Sequence, residues 1–338
     1  MYHLMTAGAS KGRPFAKHPS YEDARMNDAR FVWELVREAR VAGAHASSHT
    51  RLESLGEPGQ EFMAGGLRDQ LTGEVHEVRG RVWINATGPW ASEKSGASLR
   101  LTRGSHVILR GELPGAAQLF FAPEDGRVLF LLPFVPGYSL LGTTDLDEEA
   151  PAAHPVATRE EVSYLGRAFQ SAFPEYAPWK PVSLQCGYRP LLPSGGRPSQ
   201  ISREEKLLAD PDRPLLSILG GKYTTYRAVS ERAVDWCDRA LGRNGISHPT
   251  RTRRFPSGRD LDRLPEAADL DELLSEDVVT LEDLMLRRTP WGYLTEWREF
   301  LDLTCAKLGD KGGQQRAWFE SRQEKRLEAL EAWPEPAK

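Results

Sequence analysis

"LSILGGKYTTYR", residues 216–227, decides how this chain is to be read. An apolar run, Leu215 to Leu219, passes through Gly220 and Gly221 into a segment where Val229, Ala233, Trp236 and Ala240 recur at helical spacing. The pattern predicts a buried strand, a glycine turn and a helix from about Thr225 to Leu241. Such a junction leaves backbone N–H groups at the helix start without acceptors. Those groups and the helix dipole favour a negative charge. Glycine allows close approach, and Lys222 adds a full positive charge at the same point. The bland alternative is a tight turn with a solvated lysine, since short motifs recur by chance.

Two further junctions stand at strand ends. "INATGPW", residues 84–90, places Ala86, Thr87 and Gly88 after a short strand read as buried over Val82 to Ile84. Open α/β sheets put ligands at that position, although an ordinary turn would look the same. "CGYRPLLPSGG", residues 186–196, sets Arg189 after a glycine, with Arg203 in "ISRE" just beyond. Two arginines can clamp a phosphate or carboxylate, and most arginines are merely solvated. His106, opening the apolar run "SHVIL", reads as structural, and Asp145 in "GTTD" reads as a turn cap.

Around these junctions the periodicity predicts a helix from about Asn27, capped by Asn27 or Asp28 and ended by Gly43, with Ala29, Val32, Leu35, Val36 and Ala39 on one face. Residues 101–145 read as antiparallel sheet, with Pro133 marking an edge or a bulge. Residues 158–173 read as helix and 182–204 as a strand followed by a proline- and glycine-rich loop; 246–264 read as linker and 265–338 as mostly helical. Residues 1–20 show no period and read as loop.

The chain has 338 residues, 40% of them apolar and 27% charged, enough for two or three domains with a sizeable core. A net charge of −4 gives no broad basic field for nucleic acid. No apolar run approaches a membrane span, and the N-terminal stretch lacks the apolar core of a secretory signal. Cys186, Cys237 and Cys305 are odd in number and far apart, suggesting neither a disulfide framework nor a metal knuckle. A cytoplasmic setting is the expectation.

"INATGPW", "RGSHVIL", "GRVLFLLPF", "LLGTTD", "GYRPL", "ISRE" and "LSILGGKYTTYR" occur in this order. The series resembles FAD-dependent glycerol-3-phosphate dehydrogenase, of the glycine oxidase/D-amino-acid oxidase-like flavoproteins. "DARFVWELVREARVAGA" and "LEDLMLRRTPWGYL" resemble a helix and part of the C-terminal helical domain of that family, so the likeness covers about residues 21–300. It implies a mixed α+β and α/β fold. Residues 1–95 and 201–245 would belong to an incomplete, Rossmann-like FAD-binding domain, 96–200 to an antiparallel-sheet substrate domain, and 246–338 to a partial helical domain.

The resemblance also implies site roles. Ala86, Thr87 and Gly88 would line the FAD site. Gly220, Gly221, Lys222, Tyr223 and Thr224 would face the pyrimidine end of the flavin, where reduction places negative charge. Arg189, Arg203 and Lys222 would hold the substrate phosphate or orient its C2 hydroxyl. Tyr223 stands where the family usually has leucine, and Arg103 where it has lysine. The implied reaction is oxidation of sn-glycerol 3-phosphate to dihydroxyacetone phosphate, with electrons passing to quinone and a possible peripheral contact with the inner face of the cell membrane. The family's G-x-G-x-x-G turn and its "HGGLRY"-like segment are absent from this sequence. The expectation is therefore an N-terminally truncated chain with impaired turnover, or a non-enzymatic remnant or one half of a split flavoprotein. Paired cations suit a phosphate better than an amine, which argues against a related flavin amine oxidase.

Overall fold

The computed structural model describes residues 2–6, 21–23, 26–113, 117–193, 204–244, 247–253 and 263–335. In chain order the first half holds β1 (Tyr2–Thr6), β2 (Tyr21–Asp23), α1 (Asp28–Val41), β3 (Thr50–Pro58), β4 (Met63–Asp69), β5 (Val75–Gly80), β6 (Trp83–Asn85) and the single turn α2 (Ser92–Ser95). Then follow β7 (Arg100–Arg110), β8 (Gln118–Phe121), β9 (Val128–Val135), β10 (Tyr138–Gly142), β11 (Leu146–Glu148), α3 (Arg159–Ala172) and β12 (Lys180–Leu191). The last part holds β13 (Glu205–Ala209), β14 (Leu215–Gly220), α4 (Tyr226–Ala240), α5 (Leu270–Leu274), a π-helical turn over Asp283–Arg288, α6 (Trp297–Leu308) and α7 (Asp310–Leu327).

β7 organises the largest sheet. Its run Val107-Ile108-Leu109 is apolar without alternation because both faces of the strand are covered. Val107 and Leu109 join a core with Val162, Leu165 and Phe169 of α3 and with Ala329. Ile108 faces the other way, into a core with Leu284, Trp291, Leu301 and Phe319 of the C-terminal helices. One edge of β7 pairs along its whole length with antiparallel β12, and the other pairs with β10 and then β11. β9 and β8 extend the sheet antiparallel from β10.

Pro133 marks a bulge in an interior strand. Ser139 opposes Pro133 while Tyr138 opposes Val135, which leaves Phe134 as the extra residue. The loop expected over residues 1–20 is corrected in part, because β1 pairs in parallel with β8 and antiparallel with β2. The open edge of β8 supplies the order that the pattern of residues 2–6 does not.

α1 begins where expected, with the Asn27 carbonyl oxygen Oδ1 accepting from the Arg30 amide at 3.0 Å. Its buried side differs from the apolar stripe. Arg30, Trp33 and Glu34 are buried, whereas Val32 is 47% exposed. The reason is the partner, a polar turn: Arg30 pairs with Glu34 and Glu276, and the Arg288 guanidinium lies 3.9 Å over the Trp33 ring.

A second, three-stranded sheet has the order β13-β14-β6. β14 and β6 run parallel, with Leu215 opposite Trp83 and Ser217 opposite Asn85. Ile84 is 41% exposed, so the strand expected to be buried lies at an edge with its outer face open. The meander β3-β4-β5 forms the third sheet and is tied to β6 by the Trp83 indole, which donates to the Met63 carbonyl at 3.2 Å. Among the described residues no helix is long and apolar enough to cross a membrane.

Candidate functional site

Parallel β6 and β14 run toward the same rim, and the last residue of β6 is fastened to the middle of β14. The Asn85 amide, buried at 5% exposure, donates to Ser217 Oγ at 3.1 Å and to the Ala91 carbonyl at 2.9 Å. Its Oδ1 accepts from the Thr87 hydroxyl at 2.7 Å. One side chain therefore shapes the 86–90 turn and locks it to the middle of β14. Ala86 and Thr87 are exposed, and Gly88 has a left-handed φ of +56°. Beside this turn lies a cleft of about 370 Å³, lined by Ile84, Asn85, Thr87, Trp90 and Lys94 and by Thr50 to Leu52 of β3.

At the end of β14, Gly220 and Gly221 have φ of +70° and +102°. A Cβ on Gly220 would also stand 2.7 Å from the Glu204 carbonyl oxygen, so glycine is required on two counts. The chain then enters a helical turn over Tyr223–Thr225 that continues into α4. Its first bond runs from the Thr225 amide to the Lys222 carbonyl at 3.1 Å. The N–H groups of Tyr223 and Thr224 precede that bond and have no acceptor within the helix. Among the described residues no side chain caps this end. The exposed Lys222 ammonium makes no hydrogen bond or ion pair among the described residues. Tyr223 does more than a leucine could: its hydroxyl donates to the Asp28 carbonyl at 3.0 Å and its ring lies 6.0 Å from that of Phe31. Partial burial lifts its phenol to about 12.

Arg189 occupies a different setting. Its guanidinium donates to Thr143 Oγ1 at 3.0 Å and to the Thr144 carbonyl at 3.3 Å, and it pairs with Asp145 at 3.4 Å. It lies flat over Gly104, as the His106 ring lies over Gly142; side chains on these two glycines would collide with the groups above them. Burial, and then the Arg189 charge, push His106 down to about 4. The imidazole is thus neutral at ordinary pH. Asp145, read from sequence as a turn cap, is instead a buried carboxylate between Arg189 and Arg127.

β12 joins these two places. It packs against β14 and against the turn at Gly88–Trp90. Leu192, three residues beyond Arg189, lies 3.5 Å from the Cβ position of Gly220. Ala86, Thr87, Gly88, Gly220, Gly221, Lys222, Tyr223 and Thr224 thus share one rim, and Arg189 stands on the strand that packs across it. Arg203 lies outside the described residues. Sequence reading missed Asn85 and Ser217. A signal was there: a serine inside the apolar run "LLSIL" must find a buried partner.

Residues 12–227 match the family described as DAO, FAD dependent oxidoreductase. The chain belongs to that family. Among its relatives, the aerobic glycerol-3-phosphate dehydrogenase of Staphylococcus saprophyticus is 32% identical over 235 residues, which is 66% of this chain and 42% of that one. The aerobic glycerol-3-phosphate dehydrogenase of Bacillus subtilis is 30% identical over 249 residues, covering 70% and 44%. The chain therefore spans well under half the length of these relatives. The fold matches a crystal structure of the glycerol-3-phosphate dehydrogenase from Bacillus halodurans complexed with FAD, with a TM-score of 0.69, 22% identity, and coverage of 91% of this chain and 75% of that one. The mixed α/β architecture is that of this FAD dependent oxidoreductase family.

Proposed function

We propose that this chain takes part in FAD-dependent oxidation of sn-glycerol 3-phosphate to dihydroxyacetone phosphate, with electrons passed on to quinone. One observation carries the reading: the Thr87–Gly88 turn and the Gly220–Thr224 mouth share one rim, locked by the Asn85–Ser217 hydrogen bond. The donor set fits the flavin. Uncapped amides at Tyr223 and Thr224 and an uncommitted Lys222 suit the end of the ring system that gains negative charge. Ala86, Thr87 and Gly88 would hold the cofactor from the other strand. When bound, FAD supplies the two-electron acceptor that no side chain can.

The remaining chemistry falls to the Arg189 tract. Arg189 would hold the phosphate, exchanging its long contacts at 3.3 and 3.4 Å for charge-assisted ones. His106, neutral and beside it, is the group able to take the C2 hydroxyl proton. A phosphate against Arg189 would cancel part of the repulsion that lowers His106, making the imidazole a better base once substrate is in place.

Titrating the purified chain with FAD and following flavin fluorescence tests this. Saturable quenching, weakened about tenfold or more by Lys222→Ala, is expected. An indifferent Lys222→Ala variant, or no saturable binding at millimolar FAD, would remove the basis of the reading.

A further inference from the structure

A second cavity, of about 300 Å³, lies where α7 and the π-helical turn cover the edge of β12 that no strand pairs with among the described residues. Its walls carry three arginines: Arg287, Arg322 and Arg326. Two of them are neutralised. Arg287 pairs with Asp283 at 2.9 Å and Glu282 at 3.4 Å, and Arg322 pairs with Glu282 at 2.9 Å. Arg326 has no carboxylate within ion-pair reach among the described residues. Its polar contacts are the Gly292 carbonyl at 3.5 Å and the Tyr293 side chain, whose ring centre lies 4.9 Å from the guanidinium, and Glu282 acts on its charge from a distance. Three cations thus face two carboxylates, in a place where unpaired charge is costly. On the same wall, burial first, and then Arg322 and Arg287 against the opposing Glu282, hold His154 below its ordinary value.

A second observation narrows the ligand. Gln323 is 1% exposed and lines this cavity; its amide nitrogen donates to the Gly292 carbonyl while Oε1 has no partner. A suitable ligand must therefore bring negative oxygens for Arg326 and Arg322 and also one O–H for Gln323 Oε1. Inorganic phosphate and phosphate monoesters that keep a proton carry both; sulfate at neutral pH has the oxygens without the hydroxyl.

We propose that this arginine-walled cavity is a binding site for a compact phosphate, separate from the tract around Arg189. It stands on its own residues and does not depend on the flavin reading.

Phenylglyoxal labelling of the full chain, mapped by peptide mass, tests it with inorganic phosphate as the probe. At about ten times the dissociation constant, phosphate should slow labelling of Arg326 by about tenfold and leave exposed Arg81 unchanged. Sulfate at equal ionic strength should protect much less, and chloride not at all. Arg189→Ala should keep this protection, and in that background Arg326→Leu should remove the gain in melting temperature that phosphate confers. Should that variant fail to fold, wild-type labelling still decides. Arg326 labelled at the same rate with and without phosphate would overturn the proposal. So would equal protection by sulfate, or protection that vanishes in Arg189→Ala.

Discussion

The Arg189 tract and the Lys222 mouth each set a cation beside glycines, and the glycines do opposite things. Around Arg189 they are thin places in a sheet: Gly104 and Gly142 let a guanidinium and an imidazole lie flat across β7 and β10. At Lys222 they turn the backbone, with Gly220 and Gly221 in left-handed conformations that present amides outward. The first site is built from side chains already committed to one another. The second is built from backbone, and its charged side chain is left uncommitted. Substitutions in the tract should therefore register mostly as lost stability, and the lysine of the mouth mostly as lost binding.

The largest effect should come from Glu161, which stands behind the tract. Its carboxylate accepts from Ser105 Oγ at 2.8 Å, Thr144 Oγ1 at 2.6 Å and the Thr158 amide at 2.8 Å, and it pairs with Arg103 at 3.1 Å. Glu161→Ala leaves half-buried Arg103 with Glu148 alone, strips the buried Ser105 and Thr144 hydroxyls of their acceptor and removes the capping box of α3. A loss of about 3–5 kcal/mol is expected in urea unfolding. A loss under about 1 kcal/mol would mean the tract is not organised from behind.

Gly220→Ala follows, and it tests the mouth by its backbone. The left-handed φ and the Glu204 carbonyl both oppose a Cβ, so roughly 2–4 kcal/mol should be lost. Gly221→Ala has only the φ against it, since the nearest atom is the Glu205 Cβ at 3.4 Å, and should cost about 1–2 kcal/mol. Equal losses would show that the carbonyl moves aside.

His106 gives the tract a dependence on pH. Its folded value of about 4 lies below the ordinary 6.5, so below pH 6.5 the unfolded chain binds the extra proton first. The contribution is fully present above pH 6.5, falls as pH drops toward 4 by at most about 1.4 kcal/mol per unit, and levels off below. His106→Asn should flatten that part of the curve, measured by thermal melts between pH 7 and 4. An unchanged slope in the variant would assign the acid sensitivity to other groups.

The two sites were unequally legible in the sequence. The strand–turn–helix at Gly220 could be read because its signals are local: an apolar run, paired glycines, a helical period. Asn85, His106 and Asp145 could not be assigned, because their partners lie far along the chain. Asn85 needs Ser217, and Asp145 needs Arg127 and Arg189. The buried side of α1 failed for the same reason: its apolar stripe pointed one way, and the distant Glu276 and Arg288 drew the helix round another. Parallel pairing of β1 with β8 likewise carries no local mark.

Lys222→Ala should have the smallest effect on stability, within about 0.5 kcal/mol, because the exposed side chain contacts no partner whose loss could be felt. That near-silence is what sharpens the contrast. If the same variant also binds FAD as well as the parent, the mouth is only a turn and its lysine only solvated. If stability holds while affinity falls about tenfold, the charge is there for something outside the chain, since none of the described residues uses it. Lys222→Arg then separates charge from shape: a site needing only a positive field should accept it, and one fitted to a compact ammonium should not.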